Sequence, residues 1–222
     1  MDYVISLGGS IIVPEKIDTD FLTRFKELLS SETRKGNRFS IITGGGMVCR
    51  QYIKAARGIG ISERDADIIG VASTKLNAEL LRSILGDMAY KEVVADPNKK
   101  IDTDKILVGC GFRPGTSSDF DAVRRAITNK VKIVINMSNI SSVYDKDPKK
   151  FPEAKPIEKI SWKGFRKITG DKWVAAMNVP FDPVASKEAE THKLKVIILK
   201  GTDLENLKKC LSGGKFVGTV IQ

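Results

Sequence analysis

Histidine occurs once in the 222 residues and cysteine three times, aromatic residues make up 7%, and no long apolar run is present. Each shortage excludes something. The lone His192 lies far along the chain from every glycine-rich turn, so no Ser/His/Asp or Cys/His arrangement for nucleophilic catalysis can be read. Cys49, Cys110 and Cys210 are odd in number and widely spaced, which fits neither a disulfide framework nor a zinc pattern; they read as small buried hydrophobes. Runs such as Val196 to Leu199 fall far short of the ~20 apolar residues a membrane helix needs, so no membrane span is expected. Met1-Asp2-Tyr3 carries no basic stretch and Gly8-Gly9 interrupts the first apolar run. No export signal is therefore expected, and the expected location is the cytoplasm.

The sequence is not short of positive charge. Lys plus Arg number 37 against 27 for Asp plus Glu, a net charge of +10. Nucleic acid and polyphosphate substrates are the two obvious partners for such an excess. The lysines stand singly or in scattered pairs (Lys99-Lys100, Lys149-Lys150, Lys208-Lys209), and the few aromatics give little for base stacking. Nucleic acid is accordingly not expected, and much of the charge reads as solvated surface lysine. With 41% hydrophobic and 29% charged residues, the composition is that of a globular protein.

Strands and helices alternate along the chain. Tyr3 to Leu7 is a β-rich run ending at Gly8-Gly9-Ser10, and Phe21, Phe25 and Leu28 mark an amphipathic helix from about Thr19 to Ser31. Phe39 to Thr43 is the next strand and stops at Gly44-Gly45-Gly46, ahead of a helix carrying Val48, Tyr52 and Ala55. A long helix runs from near Ser62, a cap with Asp65 three residues on, to about Leu85. Glu92 to Ala95 and Ile106 to Val108 read as strands, the second ending at Gly109-Cys110-Gly111. A helix from Ser118 or Asp119 follows, then the strand Lys132 to Met137, a helix from about Asp182, the strand Lys195 to Leu199, a helix after Asp203 and a strand Thr219 to Ile221. This alternation predicts an α/β fold: a three-layer αβα sandwich with a mainly parallel central sheet. A single domain over 1–222 is expected, with halves of about 1–130 and 131–222. The proline-containing segment Tyr144 to Ile160 reads equally as a spacer between those halves or as a surface loop.

Three glycine turns that each follow a strand belong at the carboxyl edge of one parallel sheet, where open α/β sheets bind ligands. Gly8-Gly9-Ser10 offers backbone N–H groups and a hydroxyl. Gly44-Gly45-Gly46 lets an anion approach the backbone and rest on a helix N-terminus. Gly111 to Asp119 adds three hydroxyls ahead of another helix. One such turn is weak evidence; three suggest a site for more than one phosphate group. None fits the P-loop or the dinucleotide fingerprint.

The ordered set resembles the amino acid kinase family, and within it the archaeal type of uridylate (UMP) kinase. Gly8-Gly9-Ser10 through Pro14 is similar to that group's GGS-x-x-x-P start, and Gly44-Gly45-Gly46 with Arg50 to its GGG-x-x-x-R. Gly111 to Asp119 resembles G-x-x-P-G-x-[ST]-[ST]-D, Asn139 to Pro148 resembles N-x-x-x-VY-x-x-DP, and Asp182-Pro183 with Ala185 and Lys187 resembles DP-x-A-x-K. The matches run in family order over essentially the whole chain.

The resemblance implies transfer of the ATP γ-phosphoryl group to UMP, with Mg²⁺ and without a covalent intermediate, in pyrimidine nucleotide synthesis. Such chemistry relies on positioning and charge neutralisation. Carried over residue by residue, Arg50, Ser10 and Lys187 would act on the transferring group. Gly9, Ser10, Gly46, Arg50, Ser138, Asn139, Tyr144 and Asp147 would face ATP. Gly45 would touch the UMP phosphate and Asp67 the ribose hydroxyls, while Phe112, Arg113, Pro114, Gly115, Thr116, Ser117 and Ser118 would wrap the nucleotide. No metal-ligating residue is assigned. The resemblance further implies a homohexamer, a trimer of dimers with the first helices at the dimer contact.

The sequence departs from the pattern in two places. Ser141-Ser142 stands where the family has Asp-Gly, which predicts a poorly ordered ATP side and a raised ATP requirement. Phe112-Arg113 replaces the usual Thr-His of the acceptor loop. Two rival readings stay open. One is another small-molecule kinase of the family, such as an isopentenyl phosphate kinase, against which Met47-Val48-Cys49 lacks that group's histidine. The other is a non-catalytic nucleotide-binding or storage protein on the same fold, which Ser141-Ser142 favours.

Overall fold

The computed structural model describes residues 1–171 and 179–222. Its elements run β1 (Asp2–Leu7), α1 (Gly9–Ile12), α2 (Thr19–Arg34), β2 (Arg38–Thr43), α3 (Gly46–Gly58), α4 (Glu63–Leu85), β3 (Leu107–Gly109), α5 (Ser118–Thr128) and β4 (Ile133–Ser138). There follow β5 (Val143–Tyr144), β6 (Pro156–Ile157), β7 (Lys159–Ile160), α6 (Trp162–Thr169), α7 (Pro183–Thr191), β8 (Lys195–Lys200), α8 (Leu204–Leu211) and β9 (Thr219–Ile221). Seven strands form one sheet in the order β3-β2-β1-β4-β8-β9-β7. Every neighbouring pair is parallel except β8 with β9, as the alternation of strands and helices predicts.

Period-two alternation divides the strand residues between two cores. Ile5, Leu7, Ile41, Ile135, Ile197 and Leu199 face Phe21, Phe25 and Leu29 of α2, Leu81 of α4 and Leu207 of α8. Val4, Ile42, Val134, Val196 and Ile198 face Ala122 and Val123 of α5, Phe165 of α6 and Ala185 of α7. Both faces are therefore covered, which explains why these strands read as near-continuous apolar runs. The layers are helix, sheet, helix.

Local capping follows the sequence. Ser62 accepts from the Asp65 N–H and starts α4; Asp182 accepts from Ala185 and starts α7, with Pro183 inside the first turn. Two expectations need correction. Glu92 to Ala95 is no strand: Val94 N–H bonds to Val108, but Arg125 takes the carbonyls of Asp96 and Lys99 and the Asp96 side chain takes Asn98 N–H. With those groups satisfied elsewhere, no ladder extends. Tyr144 to Ile160 is neither a spacer nor a plain loop, since it contains the β5–β6 hairpin and the strand β7, paired with β9.

Candidate active site

The C-terminal ends of β1, β2 and β3 lie side by side, so the three glycine turns share one sheet edge. The first two interlock backbone to backbone. Gly44 N–H bonds to the Leu7 carbonyl and Met47 N–H to the Val13 carbonyl. A Cβ at Gly9 would overlap the Gly46 nitrogen and stand 2.5 Å from the Gly44 carbonyl carbon. Gly46 has φ +66°, and a Cβ there would overlap the Gly9 carbonyl oxygen. Only glycine allows both the close approach and the left-handed backbone. Gly8 N–H reaches the Met137 carbonyl at the end of β4, and Gly201 N–H reaches the Ser138 carbonyl, which closes the same edge on the other side.

Arg50 stands on α3 one turn past the triplet, and its Nη1 donates to Ser10 Oγ at 3.1 Å. The structure thus brings together two residues that the sequence paired. Arg50 is otherwise exposed, a cation at the mouth of the junction between the first two turns.

Beside that junction lies a cleft of about 200 Å³ lined by Cys49, Ile53, Asp67, Val71, Thr74 and the third turn from Gly111 to Ser118. Its loop is pinned through backbone N–H groups. Gly111 N–H donates to Thr74 Oγ1 (2.9 Å), Phe112 N–H to Asp121 Oδ2 (3.0 Å) and Gly115 N–H to Asp67 Oδ2 (3.1 Å). Ser117 caps α5 by accepting from Phe120 N–H, and Thr116 donates to the Arg113 carbonyl. Arg113, Pro114, Gly115, Thr116 and Ser118 line the cleft; Phe112 is exposed and does not, nor does Ser117. Gly45 sits at its side, where Asn77 Nδ2 donates to the carbonyls of Gly44 and Gly45.

Asn77 and Thr74 were missed by sequence reasoning. Both lie on α4, and the available signal was a polar residue at Asn77 four places after Ser73, within the buried stripe of that helix. Asp119, quoted in the motif, turns out to be a hub: its carboxylate accepts from Ser6 Oγ (2.8 Å), Asn136 Nδ2 (3.1 Å) and Asp182 N–H (3.4 Å).

Ser138 and Asn139 end β4 at the same edge. Tyr144, in β5, has its hydroxyl 3.3 Å from Ser141 Oγ. Ser142 is 3% exposed and does not adopt positive φ, so the serine in place of glycine carries no left-handed strain there. Asp147 is exposed in the β5–β6 connection and accepts from Lys149 N–H. Lys187 is exposed on α7 and hydrogen-bonds no other named site residue among the described residues. His192 is an exposed helix-end residue, while Cys110 and Cys210 are buried thiols pushed up to about 11 by desolvation.

Burial, reinforced at Asp119 by the nearby Asp182 carboxylate, pushes Asp119 up to about 6; burial also pushes Asp121 up to about 6, with Arg113 opposing. The folded state binds these protons more tightly than the unfolded one. Both carboxylates therefore cost stability above pH 6 and return it as pH falls from 6 toward 4, up to roughly 3 kcal/mol for Asp121. Asp2 and Asp171, held low by Arg38 and Arg166, act in the opposite sense only below the ordinary carboxylate range. Thermal midpoints should show the native protein gaining on the Asp119→Asn/Asp121→Asn double variant between pH 7.5 and 5. A difference independent of pH would return both groups to ordinary titration.

Residues 1–200 match the amino acid kinase family. The chain is 35% identical to the uridylate kinase of Methanocorpusculum labreanum, over 98% of this chain and 94% of that one. It is 35% identical to the uridylate kinase of Methanospirillum hungatei, over 98% and 93%. The crystal structure of uridylate kinase from Archaeoglobus fulgidus superposes with a TM-score of 0.85 at 33% identity, covering all of both chains.

Proposed function

We infer, because this chain belongs to the amino acid kinase family, that it is an ATP-dependent uridylate kinase, transferring the γ-phosphoryl group of ATP to UMP to give UDP and ADP. The observation that carries the reading is the cleft built from Asp67, Arg113 and the α5 N-terminus directly beside the interlocked glycine turns. It gives a phosphorylated acceptor and a polyphosphate donor adjoining places at one sheet edge.

In this reading the acceptor phosphate lies at Gly45 and the start of α5, whose free N–H groups and dipole favour an anion. Asp67 has one oxygen engaged with Gly115 and the other free for the ribose hydroxyls. ATP lies on the side of Gly9, Ser10 and Gly46, with Ser138, Asn139, Tyr144 and Asp147 around its nucleoside. Arg50, locked against Ser10, bridges the two and neutralises charge that spreads over the transferring group. Lys187 would contribute only at longer range. Mg²⁺ would enter with ATP as the MgATP substrate, bound mainly by phosphate oxygens and water.

The proposed acceptor site falls in the half before residue 130 and the donor site draws on both halves, its nucleoside side on the half after residue 130, within one domain. No helix among the described residues is long and apolar enough to cross a membrane, and cytoplasmic pyrimidine nucleotide synthesis is the proposed setting. We propose that the chain self-associates as a homohexamer, a trimer of dimers. Tyr52, Ile59, Ile68 and Leu76, exposed on or beside α3 and α4, are the apolar residues such a contact would cover.

ADP release measured with UMP, CMP, GMP and isopentenyl phosphate tests the reading. Preference for UMP is expected. Turnover of isopentenyl phosphate alone would move the chain to the other kinase class, and tight ATP binding without transfer would make it a non-catalytic binding protein. Asp67→Asn should raise KM for UMP by ~10-fold or more with kcat nearly unchanged, because a ribose contact exists in ground and transition states alike. A change confined to ATP affinity would reverse the assignment of the two nucleotide sites.

A further inference from the structure

Three side chains pin the acceptor loop, and two of them, Thr74 and Asp67, also line the cleft. The third, Asp121, lies outside the lining and is 1% exposed. Its one side-chain hydrogen bond among the described residues is to Phe112 N–H, where the loop begins. A carboxylate buried beside Ala122 and Val123 is a costly way to fill space, and a neutral side chain of similar size would be cheaper there. Arg113 of the loop is the cation that acts on Asp121, and Asp96 opposes it. Arg113 in turn lines the cleft.

We propose that Asp121 is a positioning residue for the acceptor: its buried carboxylate fixes the start of the Phe112–Ser118 loop and, through the chain, the place of the adjoining Arg113 at the cleft. It thereby sets the affinity for a phosphorylated acceptor that it does not touch. This inference rests on the acceptor reading of the cleft.

The test compares Asp121→Asn with Asp121→Ala. Asparagine keeps an oxygen for Phe112 N–H and removes the charge; alanine removes both. The expected result is a KM for UMP raised about 10-fold or more in Asp121→Ala and by a smaller factor in Asp121→Asn, a partial rescue by the isosteric residue. KM for ATP and kcat should stay within about twofold, and the thermal midpoint of Asp121→Asn at pH 7.5 should not fall below that of the native protein. A UMP KM unchanged in Asp121→Asn overturns the proposal even if Asp121→Ala fails to fold. A parallel loss in the parameters for both nucleotides overturns it too, by making the role merely structural. A native protein that phosphorylates no UMP would instead defeat the functional reading itself, a separate outcome visible before any variant is made.

Discussion

Replacing Arg50 by alanine should lower turnover with UMP by about 10²-fold or more and leave the fold intact. The side chain is exposed and its hydrogen bond to Ser10 Oγ is a surface contact, so its removal costs the fold little. What it supplies is a fixed cation at the seam between the two glycine turns. Phosphoryl transfer gains most from charges already in place before the reaction, and losing one such donor raises the barrier by roughly 3 to 4 kcal/mol. Lysine should recover part of the loss, because it keeps the charge while losing the planar fork. Thermal unfolding with steady-state kinetics separates the cases. Unchanged turnover in a folded Arg50→Ala protein would make Arg50 an ordinary surface arginine.

The larger structural effect is expected at Gly46. Alanine there must adopt φ +66° and push its methyl group into the Gly9 carbonyl oxygen, while Asn77 holds the neighbouring carbonyls in place. Left-handed strain and overpacking together should cost on the order of 3 to 5 kcal/mol. Neither partner can yield easily, since both sides of the contact are backbone. Gly9→Ala should behave alike, because its methyl group would overlap the Gly46 nitrogen. Both variants should lose activity altogether and unfold at lower denaturant concentration. A Gly46→Ala protein with native stability and turnover would show that the turns separate without penalty.

The glycine turns were legible because each ends a β-branched strand, and that pattern alone places them at one sheet edge. The Ser62, Ser117 and Asp182 caps were within reach for the same reason: they act within their own turn. What stayed hidden acts across elements. Asn77 reaches back from α4 to a turn 32 or 33 residues earlier, and Asp121 reaches from α5 into the loop before it. In sequence each is simply a polar residue on a helix. The two-residue strands β5, β6 and β7 are too short to show any periodicity, and their pairing is set by distant Thr219 and Ile221. Helix α6 carries Trp162, Phe165 and Thr169 on its buried face, but Gly164 and the nearby Gly170 interrupt the signal. The poorly ordered ATP side expected from Ser141-Ser142 gets no support from the backbone at Ser142, which does not enter the left-handed region that glycine would be needed for.

The strand order has a consequence for how the chain reaches this state. β1 is the first strand made, yet it occupies the interior of the sheet. Its Asp2 finds Arg38 soon after synthesis, whereas Val4 must wait for Val134. Until β4 emerges, one hydrogen-bonding edge of the β1–β2 pair stands open to strangers. Folding of such distant pairings is slow and leaves that edge available for aggregation. During translation the vulnerable interval is therefore the synthesis of α3 to α5, the stretch that also builds the acceptor cleft.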